Sequence, residues 1–132
     1  MPAIAPGTTR IKELAVTPEM TATHLGSGSV GVLATPAMLA LVERTALELI
    51  QAYLSEEETT VGVEATIRHL APTPVGMKVR AQVEVVEVDA RFVLVKAEVF
   101  DAVEKVGEAT HKRAVVRRAR FVERAMAKGA PS

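Results

Sequence analysis

One helix-like segment stands alone in a chain that otherwise alternates like a sheet, and this limits the fold more than any other feature. Thr35-Pro36 opens the segment. A threonine there can cap free amides, and proline suits the first helical position, where its missing N–H costs nothing. Good helix formers run to about Leu54, and Ser55-Glu56-Glu57-Glu58 closes the segment in polar residues. At about 100° per residue, Leu39, Val42, Ala46, Leu49, Ile50 and Tyr53 share a stripe, with Arg44, Glu48 and Gln51 opposite.

Strand patterns surround it. Residues 8–16 predict a short first strand, and residues 17–34, with Gly26-Ser27-Gly28-Ser29-Val30-Gly31, read as loop. Val61, Val63, Ala65 and Ile67 alternate, and the same parity reaches His69. Pro72 to Gly76 forms a turn, and a second strand follows from Val79 with a phase slip at Val85-Val86 that predicts a bulge. Asp89-Ala90-Arg91 turns into a strand from Phe92 to Phe100, and a last strand is expected from Val106 to about Phe121. The tail from about residue 125 is expected to fray. Short turns imply antiparallel neighbours, so one helix packs on one face of a curved sheet of about five strands, an α+β architecture.

Composition narrows the class. With 132 residues the chain is one domain, and 48% hydrophobic residues are enough to build its core. Sixteen basic residues balance sixteen acidic ones, so no global field draws the chain to nucleic acid or an anionic membrane. Aromatics at 3% leave little for stacking on single strands. The absence of cysteine excludes disulfides, a thiol nucleophile and thiolate metal sites. Three scattered histidines show no ligand spacing, so neither metal nor cofactor is expected. No leader-like pattern opens the sequence, and Val30 to Val42 is broken by Thr35-Pro36, short of a span of about 20 residues. The expectation is a cytoplasmic domain.

Two ionisable residues occupy positions where the patterns ask for apolar ones: Glu43 on the helix stripe and His69 on the strand. Both faces turn inward, so the two are expected to share a cavity. A carboxylate withdrawn from water costs several kcal/mol unless paired, which favours its retention for a partner or a general-base role. Thr35 adds a hydroxyl at the helix start, where amides favour developing negative charge on a carbonyl oxygen. Eight residues separate Thr35 from Glu43, a helical rise of about 12 Å. A direct contact between them therefore needs a distorted first turn or a second subunit. Gly26 to Gly31 spells a dinucleotide-type glycine pattern, but its flanks lack the required parallel strand–helix–strand unit. His111-Lys112-Arg113 and Arg117-Arg118-Ala119-Arg120 read as a solvated strand end or a landing site for a phosphorylated carrier such as coenzyme A.

Together Leu33-Ala34-Thr35, Glu43, Gly62 through His69, Ala71 to Gly76 and Thr110 to Val115 resemble the hotdog-fold thioesterases, within them the fluoroacetyl-CoA thioesterase-like group. The resemblance implies a long helix wrapped by an antiparallel sheet, and a homodimer or dimer of dimers with acyl-CoA at the subunit interface. It implies hydrolysis of a small acyl-CoA to a carboxylate and free CoA. Carried across, Thr35, Glu43 and His69 are the catalytic group, with Gly62 and Arg113 as substrate-binding residues. The departure lies before the helix. The fluoroacetyl-specific enzyme has a longer, phenylalanine-bearing lid there, whereas Gly26 to Gly31 holds no Phe. A non-catalytic acyl-CoA binding module and an enoyl-CoA hydratase of the same fold are the rival expectations.

Overall fold

The structure, a computed structural model, describes residues 4–129. In chain order it contains β1 (Thr9–Ala15), a 3-10 turn (Pro18–Met20), α1 (Ala22–Leu25), α2 (Thr35–Gln51), β2 (Glu58–His69), β3 (Lys78–Asp89), β4 (Phe92–Phe100), β5 (Lys105–Arg117) and α3 (Arg118–Gly129). The five strands form one antiparallel sheet in the order β1-β3-β4-β5-β2.

The expected α+β plan of one long helix on an antiparallel sheet is therefore present. Val79, Ala81, Val83 and Val85 of β3 and Val93, Val95, Ala97 and Val99 of β4 turn one face of the sheet toward α2 and are buried. Against them α2 sets Met38, Leu41, Val42, Thr45, Ala46, Leu49 and Ile50. Each large aliphatic side chain buried this way contributes roughly 1.5–3 kcal/mol. The buried stripe is rotated from the expected one: Leu39 is only partly buried and Tyr53 is exposed. Thr45 takes a place in the stripe because its hydroxyl donates to the Leu41 carbonyl at 2.7 Å, leaving its methyl to pack.

Several local readings change. Ala34, not Thr35, is the N-cap of α2, with no side-chain cap bond, so the Thr35 hydroxyl is free for another partner. The helix ends at Gln51, whose side chain donates to the Glu58 carbonyl and accepts from the Thr59 hydroxyl, fastening α2 to the start of β2. Residues 17–34 are not all loop. Thr21 accepts from the His24 amide to cap α1, and Gly26 closes it with φ 71°, a left-handed turn that glycine adopts freely. The slip after Val85 is a bulge, as its sequence implies. A second bulge, between Gly62 and Glu64, was not anticipated. It ejects Val63 to the outside and breaks the simple alternation of Val61 and Val63 with Ala65 and Ile67. Finally, β5 stops at Arg117, and residues 118–129 are helical where strand and then a frayed tail were expected. Residues 130–132 of that tail lie outside the described residues.

The helix start is held to the sheet by one close approach. Gly107 of β5 lies directly beneath the Met38 thioether, and a Cβ at Gly107 would collide with the Met38 sulfur. Gly107 pairs across the sheet with His69, so helix, strand and candidate histidine are set by the same contact. Replacing Gly107 with alanine should destabilise the fold by about 1–3 kcal/mol through overpacking. Urea unfolding of wild type and Gly107→Ala measures it as a lower midpoint at unchanged slope.

Candidate active site

Helix α2 runs antiparallel to β2, and the two line a seam. Thr35, Leu39 and Glu43 recur every fourth residue and so share one face of α2. The bulge sorts β2, leaving Thr60 and Gly62 before it, and Ala65, Ile67 and His69 after it, on the face toward the helix. Polar groups gather at the two ends of this seam.

At one end the Thr35 hydroxyl and His69 Nδ1 are 2.8 Å apart. The other ring nitrogen, Nε2, is buried and has no hydrogen-bond partner among the described residues. Burial lowers the His69 pKa, against a smaller opposing effect of the Ala71 backbone, so the ring is neutral near pH 7. A threonine–imidazole pair with an unoccupied, buried nitrogen can pass a proton to or from a bound molecule.

At the other end the half-buried Glu43 faces Gly62. A Cβ placed on Gly62 would lie 3.1 Å from Glu43 Oε2, 3.1 Å from His111 Cε1 and 3.5 Å from Arg113 Nη1. A side chain there would crowd the carboxylate and the buried pair beneath it. Beneath it Arg113 is 6% exposed and His111 2%, and every side-chain nitrogen of both has a hydrogen-bond partner. Arg113 Nε donates to the Thr60 hydroxyl at 2.8 Å and Nη2 to the Thr60 carbonyl at 3.0 Å. Arg113 Nη1 lies 3.0 Å from His111 Nε2. A guanidinium only donates, so that nitrogen accepts and the ring proton sits on Nδ1, which donates to the Glu64 carbonyl at 2.9 Å. His111 is thus held neutral. Burial lowers its pKa most, the Glu64 carbonyl opposes, Arg113 adds to the lowering and Glu43 opposes.

The five residues singled out in the sequence therefore fall into two groups. Thr35 touches His69, and Glu43 adjoins Gly62 and Arg113. Glu43 and His69 do not meet within one chain: six strand residues lie between Gly62 and His69, on the order of 20 Å of extended backbone. The reading of His111 and Arg113 as a solvated strand end is overturned, since both are buried in hydrogen bonds to β2. His111 was missed as a site residue. Its two-residue spacing from Arg113, between the apolar Ala109 and Val115, was the available signal. A trough of about 620 Å³ lies elsewhere, on the helix-free face of the sheet among Ile11, Gln82, Lys96, Glu98 and Thr110. It is lined by none of these site groups.

A single helix cradled by a five-stranded antiparallel sheet, with a carboxylate and a hydroxyl–imidazole pair along their seam, defines the class of hotdog-fold thioesterases. A hot-dog-like protein from Thermanaerovibrio acidaminovorans shares the fold at TM-score 0.88 and 24% identity, over 96% of this chain and 94% of that one. Residues 16–119 match the fluoroacetyl-CoA-specific thioesterase family, and the chain belongs to it. A fluoroacetyl-CoA thioesterase of Streptantibioticus cattleyicolor is 31% identical over 90 residues, 68% of this chain. That match spans 65% of the relative's own length. A solved structure of the fluoroacetyl-CoA thioesterase FlK superposes at TM-score 0.91 with 27% identity, covering 98% of this chain and 99% of that one.

The lowered pKa of His111 has a consequence for stability. The folded ring resists a proton that the unfolded ring accepts near pH 6.5, so its stabilisation is complete above that pH and is lost as pH falls toward the lowered value. The loss should reach at most about 1.4 kcal/mol per pH unit. Urea unfolding at about pH 7.5, 6.5 and 5.5 should show the decline in wild type and a flatter profile in His111→Gln.

Proposed function

We propose that this protein hydrolyses an acyl-CoA thioester to a carboxylate and free CoA, acting in the cytoplasm as a homodimer. The observation that carries the reading is the Thr35–His69 pair, whose Nε2 is buried and unpartnered beside a seam that also holds Glu43. Leaving a buried ring nitrogen empty costs about 1–3 kcal/mol, which a bound substrate recovers.

Two copies bring the halves together. β2 is an edge strand, and its central residues Val63, Glu64, Ala65 and Thr66 are exposed. A bare edge of this length invites pairing with another strand. Antiparallel pairing of two β2 edges about a two-fold axis near Ala65–Thr66 sets Gly62 and Glu43 of one copy beside Thr35 and His69 of the other. In that site Glu43 takes a proton from water as it attacks the thioester carbonyl. The Gly62 backbone lies along the carbonyl. His69, its ring fixed by Thr35, relays the proton received by Glu43 to the departing sulfur, so that carboxylate and ring both return to their starting states, and Arg113 holds the strand that carries Gly62. The carbon–sulfur bond breaks and a carbon–oxygen bond to water forms, with no metal or cofactor taking part. The segment Gly26 to Gly31 is exposed and contains no aromatic residue, so the selectivity for fluoroacetyl named in the relatives is not carried over.

Glu43→Gln should lower CoA release by about 10²-fold or more in a thiol-release assay screened over short, branched, aromatic and long acyl-CoAs. An unchanged rate would remove Glu43 from the chemistry. Thr35→Ala should lose less than His69→Ala; an equal loss would show that the ring cannot act without its hydroxyl partner. Turnover insensitive to all three changes, alongside saturable CoA-ester binding, would establish the non-catalytic reading. A change in the absorbance of crotonyl-CoA would establish the hydratase.

Mixed subunits test the shared site. Glu43→Gln and His69→Ala chains, each inactive alone, should regain activity when co-assembled, because the heterodimer contains one site with both wild-type groups. No recovery would place the whole site within one chain.

A further inference from the structure

Four arginines converge where the sheet ends and α3 begins. Arg91 from the β3–β4 turn, Arg117 from the last position of β5, and Arg120 and Arg124 from α3 line a cavity of about 260 Å³, closed by Val115, Val116 and Phe121. Nothing in the site described above uses it.

The charge there is concentrated and poorly compensated. Over the whole sequence sixteen basic residues cancel sixteen acidic ones, so a local surplus of this kind is a directional feature. Arg117 meets Glu57 at 3.5 Å, and both side chains are exposed. Among the described residues no carboxylate lies within 4.0 Å of Arg91, Arg120 or Arg124. Arg91 instead rests over the Phe92 ring, 5.2 Å from its centroid. Arg120 and Arg124 are one helical turn apart on the same face of α3, a like-charge spacing that weakens a helix unless an anion lies between. Planar, permanently charged guanidinium groups arranged around a concavity suit an oxyanion, and several of them together suit the multiple charged oxygens of a phosphate.

Its place on the strand gives the ligand. Arg113, opposite Gly62 in the register, stands four residues before Arg117 on β5, an extended run of about 13 Å. A pantetheine arm, from thioester sulfur to first phosphate, matches four or five extended residues, about 15 Å. An acyl-CoA with its thioester at Gly62 and Glu43 has an arm long enough to reach this end of β5 with its phosphates. The apolar wall of Val115 and Phe121 gives the adenosine a surface to lie on.

We infer that Arg91, Arg117, Arg120 and Arg124 form the anchoring site for the phosphates of coenzyme A, an inference that rests on the acyl-CoA reading of the site. Reaction remains at the seam, and the arginines discriminate a phosphorylated carrier from a bare pantetheine thioester.

The test compares wild type with Arg117→Gln/Arg120→Gln/Arg124→Gln, and with Arg120→Glu alone should the triple variant unfold. Each is assayed on acetyl-CoA, acetyl-dephospho-CoA and acetyl-pantetheine. The preference for acetyl-CoA over acetyl-pantetheine, as a ratio of kcat/KM, should drop about 10- to 100-fold in the triple variant. The drop should come through KM, and raised salt should reproduce part of it in wild type. Dephospho-CoA in wild type reports how much of the preference comes from the 3′-phosphate. An unchanged ratio, or equal losses on all three esters, overturns the inference. If wild type cleaves none of the esters, the hydrolase reading fails separately. Calorimetric binding of free CoA then decides the site: weakening of at least tenfold in the variant sustains it, and equal affinity sinks it.

Discussion

A buried guanidinium must have its N–H groups occupied, and that requirement at Arg113 organises the end of the molecule where Glu43 lies. Unpaired, a charge with 6% exposure would cost several kcal/mol. Its partners are Thr60 twice and His111 once. His111 in turn holds the Glu64 carbonyl on the far side of the β2 bulge. One cation thus clamps β2 before and after the point where it kinks. The kink turns Gly62 toward Glu43 and throws Val63 outward. Without it β2 would keep one parity throughout, and the carboxylate would face a side chain instead of open backbone.

The same kink shapes the edge of the sheet. A straight twelve-residue strand with a free edge is a standing invitation to indiscriminate pairing. The bulge interrupts the β2 ladder between Gly62 and Glu64, and in the proposed dimer register is the property that decides whether two half-sites meet. Shifting two antiparallel edges by two residues would move a histidine from beside its partner's carboxylate by roughly two strand repeats, about 7 Å. In the proposed dimer assembly and catalysis would depend on one set of backbone bonds, and a variant that slips the pairing would lose activity while every side chain stays intact.

Much of the layout was legible because strands and helices announce themselves by period. The alternation in β3 and β4, the slip after Val85 and the single long helix all follow from which side chains can reach a core. The misreadings have physical causes. Thr35 was read as a cap, a role open to any threonine before proline, whereas its hydroxyl is engaged by a histidine 34 residues away. The predicted stripe of α2 was turned because Met38, which packs over Gly107, was not placed in it. The bulge in β2 depends on buried polar groups of another strand, which local alternation does not record. α3 was missed because its first residues continue a β-like pattern, while its amphipathic face is left exposed at Phe121, Val122 and Met126. Of the site, Glu43 and His69 stood out as charges among apolar neighbours. Their separation did not, because sharing a face says nothing about position along it.

That separation bears on the kind of substrate the proposed site would accept. Between the hydroxyl–imidazole pair and the carboxylate lie Leu39 on the helix and Ala65 and Ile67 on the strand, none of which offers a side-chain hydrogen bond. In the proposed dimer the carboxylate of one copy meets the hydroxyl–imidazole pair of the other at each end of this line, and the apolar stretch lies between the two sites. A free acid would set its charge against Glu43 or bury it against aliphatic side chains, and both are costly. An uncharged ester with its polar atoms concentrated at one carbonyl has neither difficulty, whereas the carboxylate product of its hydrolysis meets both. Charge on the substrate is tolerable only far from the seam, which is where the arginine-lined end of β5 lies. A neutral reacting centre tethered to a polyanionic handle satisfies both regions at once, and an acyl-CoA is a molecule built in that way.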